Sequence, residues 1–527
     1  MFKKFICVAV ALGAMLAATS SQAAEAGAKS ISAEAFFAPL DVEDMFLSPS
    51  GRFIGAVTGK KGERKKLVVI DTTDKEPTQI IAVFDSVDVS DVHWMTDEVL
   101  VFSLNDTVNV DAITKGTGLL SVRRNGSERK MLIKRDWDNR MSNIGAAALD
   151  PQFFLLSYGP RGGTRVIIGE YVSGGELGQV VPYWLDVSTR ARQSVLEGDP
   201  PHKHVYSWLF DDAGRPRVAT GHENGDVIYF YADATGKSWR QIGRFPSYKA
   251  DFTPAFVDGD RLFVRTANAT SGQLEIREFD LASGKIVDEP LITTLGFDAS
   301  AQRIVDAKGR TAGYRLLVEE HTSYWISPAM RKLQAEVDKM LPGRVNRLSC
   351  SDCFEPDSVL VYSYADRFPG EFLHVSAKTG KWQRFGEVQP AIDTAGLGRT
   401  GLIRIKARDG LEIPVWVTRP VGVGDKPLPT VVLAHGGPWV RGRVWGWSAE
   451  AQFLAARGYV VIEPEFRGSE GYGTRLYQAG WKQWGLAMQD DLADALQAAI
   501  AKGWSDPKRV CIAGASYGGY AALMGVA

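Results

Sequence analysis

The chain has 527 residues, of which 45% are apolar and 10% aromatic, and 61 Lys and Arg stand against 62 Asp and Glu. That is the composition of a globular protein long enough for two large domains or more, and it excludes a disordered or collagen-like chain. A formal net charge of −1 gives no reason to expect a polyelectrolyte partner, so nucleic acid is set aside.

Lys3 and Lys4 precede an apolar stretch from Phe5 to Ala18, and small residues then lead to Ser21-Gln22-Ala23, a cleavage-site pattern. Residues 1–23 therefore read as a cleaved secretory signal. The mature protein is expected to be periplasmic or secreted, with no stable membrane insertion. The apolar stretch is shorter than the ~20 residues a membrane span needs, and Cys7 lies too early in it to carry a lipid.

From about Asp44 to about Pro390 the chain reads as many short strands separated by turn residues. One phrase recurs before apolar runs: Ser48-Pro49-Ser50-Gly51-Arg52, Asp211-Asp212-Ala213-Gly214-Arg215 and Asp306-Ala307-Lys308-Gly309-Arg310. A second phrase, an apolar strand running into a polar turn with Gly-Lys, recurs at 229–237, 279–285 and 375–381. Gly supplies the positive φ of a tight hairpin, and Asp or Ser beside it bonds back to the turn. Degenerate hairpin repeats over such a length predict a β-propeller, with a pair of β-sandwiches as the alternative.

Ser327-Pro328 offers a helix N-cap with Pro at the first helical position. Met330, Leu333, Val337 and Met340 follow at helical spacing, a packing stripe, until Pro342-Gly343 ends the helix. Cys350-Ser351-Asp352-Cys353 could be a zinc half-site, a redox pair or a disulfide; in an exported chain the disulfide Cys350–Cys353 is preferred. Cys511 is expected to be a small buried residue.

Around residue 395 the pattern changes. Lys406 to Pro420 alternates as a hairpin around Asp409-Gly410, and apolar strands follow at Leu428 to Leu433 and Tyr459 to Ile462. A helix is predicted over Asp490 to Ala501, then a strand Arg509 to Ala513, then Gly514-Ala515-Ser516-Tyr517-Gly518 and a helix start from Gly519. Alternating strands and helices predict a parallel α/β sheet. G-x-S-x-G between strand and helix is a nucleophile elbow, with Ser516 as nucleophile. His435-Gly436-Gly437-Pro438 after an early strand is where this fold places one backbone donor of its oxyanion hole, the other being the N–H of Tyr517. In this fold the acid and the His of the triad follow the Ser, and no Asp, Glu or His occurs after Ser516.

The chain resembles the prolyl oligopeptidase family of serine peptidases, in its acylaminoacyl-peptidase and dipeptidyl-peptidase-like branches. The resemblance rests on Asp409-Gly410 with Pro420, His435-Gly436-Gly437-Pro438, Phe466-Arg467-Gly468-Ser469-Glu470-Gly471-Tyr472-Gly473, Trp484-Gly485 with Gln489-Asp490-Asp491, and the elbow continued by Gly519-Tyr520. It implies an N-terminal all-β propeller followed by an α/β-hydrolase domain. The expected division is 24–395 for the propeller and 396–527 for the N-terminal half of a hydrolase domain cut after the elbow. Where the prolyl oligopeptidases proper use a Tyr side chain as oxyanion donor, this chain has His435, so the backbone N–H groups of Gly437 and Tyr517 are the expected pair. Arg467 is expected to be an ion-paired loop staple, and Asp490, Asp491 and Asp494 to lie near a helix start. No cofactor and no metal are called for, and short peptides are the implied substrates.

Two further readings stay open. One is a non-catalytic propeller module that binds peptides or partners and carries a vestigial hydrolase half; the other is an esterase, since the elbow does not distinguish esters from amides.

Overall fold

The computed structural model describes residues 31–107, 117–135, 147–173, 178–424 and 426–526, so the expected signal over residues 1–23 lies outside the described residues. Between Val42 and Glu387 the chain forms seven antiparallel sheets one after another, six of four strands and one of three. In every sheet each strand pairs with the next strand along the chain. Seven such meanders are the blades of a propeller, and the sandwich alternative falls.

The repeated phrases are the hairpin turns of these blades. Ser48–Arg52, Asp211–Arg215 and Asp306–Arg310 join the first and second strands of the first, fourth and sixth blades. In each, the glycine N–H donates three residues back: Gly51 to Ser48 at 2.9 Å, Gly214 to Asp211 at 2.8 Å, Gly309 to Asp306 at 3.0 Å. All three glycines hold φ between 76° and 79°, where a Cβ is disfavoured. The Gly-Lys phrases join the third and fourth strands of the fourth, fifth and seventh blades.

Apolar side chains from adjacent blades meet in clusters between them. Leu262 and Val218 share one cluster across the fourth and fifth blades, and Trp325 and Leu348 another across the sixth and seventh. The ring closes in the same way, with Val42, Met45 and Ile54 of the first blade against Leu360 and Phe372 of the seventh. Ser358 Oγ donates to the Gly51 carbonyl at 2.6 Å across that seam. Packing closes the propeller, and among the described residues no strand is shared between its ends.

In the sixth blade a helix, Pro328–Met340, follows the third strand. Ser327 Oγ accepts from the Met330 N–H at 3.2 Å, and Met330, Leu333 and Val337 are buried. Met340 departs from the expected stripe: it is 64% exposed because it occupies the last helical position, beyond the cluster. Cys350 and Cys353 are disulfide-bonded.

After the seventh blade comes one five-stranded sheet in the order Arg399–Lys406, Glu412–Arg419, Val460–Pro464, Leu428–Ala434, Ser505–Gly514. The first two strands are the predicted hairpin around Asp409-Gly410. The last three are parallel. Val431, Val432, Val460, Val461 and Ile462 are buried, as strands covered on both faces require. Helix Ala487–Ala501 lays Met488, Leu492, Ala495, Leu496 and Ala499, one stripe of its surface, on the sheet core. Ser505–Gly514 is an edge strand among the described residues, which leaves Cys511 half-exposed where a buried residue was expected.

The two regions are in direct contact. The Thr474 N–H donates to the Gly272 carbonyl at 2.8 Å, the Trp445 N–H to the Glu319 carbonyl at 2.7 Å, and Gln452 Nε2 to the Asp366 carbonyl at 2.8 Å. Phe36, which precedes the first blade, stacks on Trp447 and meets Phe453 edge-on.

Candidate active site

Strand Ser505–Gly514 and helix Tyr517–Met524 are joined by two residues, so the chain reverses sharply at Ser516. Ser516 takes φ 54°, ψ −122°, a conformation that a side chain rarely adopts and that functional sites hold under strain. Its side chain is exposed above the end of the sheet. The flanking glycines are dictated by contact: a Cβ on Gly514 would lie 2.5 Å from the Ala434 carbonyl oxygen, and one on Gly518 only 2.0 Å from the same atom. The elbow thus presses against the end of the neighbouring strand Leu428–Ala434.

That strand leads into the His435-Gly436-Gly437-Pro438 loop. A Cβ on Gly436 would come within 3.2 Å of the Ala515 carbonyl oxygen and 3.4 Å of Ser516 Cβ. The loop and Ser516 are therefore side by side. Gly437 holds φ 112°, which glycine alone accommodates readily. Tyr517 is the first residue of its helix, so its N–H has no intrahelical carbonyl to meet. The Tyr517 ring is buried against Phe466 and Trp484.

His435 turns its ring nitrogens away from Ser516. Its Nδ1 lies 2.7 Å from the Gly436 carbonyl oxygen and its Nε2 3.0 Å from Ser469 Oγ, and the ring stacks on Phe466 at 4.3 Å. Burial lowers its pKa, so the ring is neutral. Nδ1, facing a carbonyl, carries the proton, and Nε2 accepts from Ser469. Among the described residues no histidine hydrogen-bonds to Ser516 Oγ.

Beneath the loop lies Glu465, a residue the sequence reading missed. Its carboxylate accepts the N–H groups of Gly442 at 2.9 Å and Arg443 at 2.8 Å, and the Tyr472 hydroxyl at 3.3 Å. Burial pushes this carboxyl up to about 7. Glu463, two residues earlier on the same strand end, is likewise pushed up to about 7 by burial. Both line a cavity of about 710 Å3 that also reaches His435, Arg443 and Ala515. An acid directly before Phe466-Arg467-Gly468-Ser469 was the available signal, but its inward direction depends on the strand's pleat.

Arg467 is a staple. It makes a two-pronged pair with Asp491, Nε to Oδ2 at 2.9 Å and Nη2 to Oδ1 at 2.7 Å, and Nη1 reaches Asp409 at 2.9 Å. Asp490 and Asp494 face elsewhere and pair with Arg408 at 2.7 and 2.9 Å. The three acids thus hold the hairpin and the Arg467 loop to one helix.

Residues 445–527, which carry the elbow, match the family model described as the prolyl oligopeptidase family. Over these residues the chain carries part of a prolyl oligopeptidase family domain. The chain is similar to dipeptidyl aminopeptidase BIII of Pseudoxanthomonas mexicana, 32% identical over 208 residues, which are 38% of this chain and 30% of that protein. It is also similar to dipeptidyl peptidase family member 6 of Caenorhabditis elegans, 32% identical over 217 residues, 37% of this chain and 29% of that one. The matches to these relatives thus span under a third of their length. Among solved structures, one from a study of two prolyl endopeptidases superposes with a TM-score of 0.63 at 14% identity, covering 92% of this chain and 70% of that one. At that identity the likeness concerns the fold: a propeller with a prolyl oligopeptidase family domain behind it.

Proposed function

We propose that the chain is a serine-type peptidase acting on short peptides through an acyl-enzyme on Ser516. The observation that carries this is the exposed, strained Ser516 set against the Gly436-Gly437 loop within a prolyl oligopeptidase family domain. Ser516 Oγ attacks the scissile carbonyl carbon, and the carbonyl oxygen becomes an oxyanion that accepts from the N–H groups of Gly437 and Tyr517. The C–N bond then breaks, the amine leaves with a proton, and water resolves the ester. Peptides enter past the propeller, which favours short substrates over folded or long chains.

The 527-residue chain itself is expected to turn over no peptide. A lone Ser hydroxyl is a weak nucleophile without a base, and the nearest histidine in sequence to the oxyanion loop, His435, is held by Gly436 and Ser469. Export is proposed on residues 1–23 and is supported by the Cys350–Cys353 disulfide, a bond that persists in oxidising compartments.

A chromogenic dipeptide amide and a fluorophosphonate probe test both parts. No turnover and no labelling beyond that of Ser516→Ala is expected from this chain. Rapid labelling lost in Ser516→Ala would show that the base is in place, and would overturn the inactivity. A form of the protein supplying an Asp and a His that still left Ser516 inert towards peptide amides would overturn the peptidase reading itself.

A further inference from the structure

Arginines inside the propeller are, for the most part, matched to acids. Arg217 meets Asp260 at 3.1 Å, Arg303 meets Asp212 at 3.0 Å and Asp258 at 2.8 Å, and Arg310 meets Asp306 and Asp352, each at 2.7 Å. Arg315 and Arg347 are exceptions. Among the described residues neither has a carboxylate oxygen within 4.0 Å. Arg315 Nη2 donates to the Leu348 carbonyl at 3.0 Å, while its Nε is buried with no partner.

Both side chains line a cavity of about 250 Å3 where the sixth, seventh and first blades meet, together with Tyr362, Glu43 and Asp44. The two acids are unmatched as well. Neither has a cationic nitrogen within 4.0 Å among the described residues, and Asp44 Oδ1 accepts only the N–H of Met45 at 2.7 Å. Glu43 and Asp44 are exposed where they line the cavity, with Lys65 acting on Glu43 and Arg347 on Asp44 from beyond 4.0 Å, while burial holds the Arg315 guanidinium down to about 10, with Arg347 adding to that effect. Two cations and two anions therefore line one small space with no ion pair closed between them.

A simple anion would engage the arginines alone, and a simple cation the acids alone. We propose that this cavity binds a short zwitterionic peptide, its carboxylate on Arg315 and Arg347 and its ammonium on Asp44 and Glu43. The ligand is small, because the cavity falls just below the ~300–1,000 Å3 of small-molecule sites. That it is a peptide rests on the peptidase reading, since cleavage of short peptides yields shorter ones with both termini free. The site also adjoins the other region: the strand of Arg315, Thr311–Leu317, runs into a hairpin turn where Arg441 donates to the Val318 carbonyl and the Trp445 N–H to that of Glu319.

Calorimetric titration of the Ser516→Ala chain with four probes tests this: dialanine, N-acetyl-dialanine, dialanine amide and inorganic phosphate. Dialanine is expected to bind, and the other three to bind at least about tenfold more weakly, the usual loss when one charge-assisted contact is removed. Arg347→Leu and Asp44→Asn should each weaken dialanine binding by about tenfold, with circular dichroism confirming that the propeller is folded. No binding of dialanine would overturn the site. So would a blocked peptide or phosphate that binds as tightly, or folded variants that bind undiminished. Should either variant not fold, the four probes on the Ser516→Ala chain decide alone. Failure here leaves the peptidase reading standing, because that reading is decided at Ser516 by the fluorophosphonate.

Discussion

A propeller strand finds its partner in the next strand along the chain, whereas Leu428–Ala434 in the α/β sheet pairs with Val460–Pro464 on one side and Ser505–Gly514 on the other. The cores differ in the same way. The propeller's apolar contacts are divided among clusters between blades, while the α/β region is built around one cluster that runs from Ile405 to Ala521 and takes in Phe297 of the propeller. A local flaw in a blade is therefore confined, and a flaw at the elbow reaches the whole sheet. Limited proteolysis should remove the region after the seventh blade first and spare Val42–Glu387.

The largest effect should come from the glycines. Gly518→Ala drives a Cβ to 2.0 Å from the Ala434 carbonyl oxygen, and should destabilise the α/β region by about 5 kcal/mol or more while the propeller stays protease-resistant. Gly284→Ala, at φ 70° in a fifth-blade turn with nothing within 4 Å, should cost only about 1–2 kcal/mol. Equal losses in urea unfolding would break the contrast.

Ion pairs sharpen it next. Asp491→Ala leaves the Arg467 guanidinium without its buried partner, a loss of about 3–5 kcal/mol. Glu278→Ala, in the exposed pair with Arg261 on the fifth blade, should change stability by less than about 1 kcal/mol.

Two carboxyls, one in each region, should also respond to pH with opposite signs. An unfolded Glu465 ionises near 4.5 and the folded one near 7, so between those values the folded state holds a proton that the unfolded state has released. Stability of the α/β region should therefore fall as pH rises through that window, with about 3 kcal/mol from Glu465. Glu465→Gln should reduce the slope and leave the part due to Glu463. In the first blade burial would raise Asp71, but hydrogen bonds from Arg52 and Thr73 outweigh it and bring the carboxyl down to about 2. Its contribution is present above the unfolded value of 3.8 and is lost as pH falls towards 2. Melting curves from pH 2 to 8 in which Glu465→Gln and Asp71→Asn change the slope in the same direction would contradict this assignment.

A change smaller than those at Gly518, Asp491 and Glu465 is expected at Cys350–Cys353, whose separation of 3 residues closes a short loop. Replacing both by Ser should cost about 2 kcal/mol, because little chain entropy is removed by so small a ring. Thermal unfolding of that variant should still show the propeller as the later transition.

What the sequence by itself determined is what depends on near neighbours in the chain. Gly51, Gly214 and Gly309 mark first-hairpin turns because a positive φ is a property of one residue, and Gly514-Ala515-Ser516-Tyr517-Gly518 marks the elbow because one tight turn sets its spacing. Blade number was decided by the tertiary structure. The third blade makes its last turn with Arg190 at φ 66° instead of Gly, and the sixth follows its third strand with a helix, so neither repeats the phrase. The roles of His435 and Glu465 were likewise settled in space. Whether His435 faces Ser516 or Ser469, and whether Glu465 points inward beneath Gly442 and Arg443, depends on how strands distant in sequence lie against each other. Long-range packing fixes that direction, and no spacing along the chain encodes it.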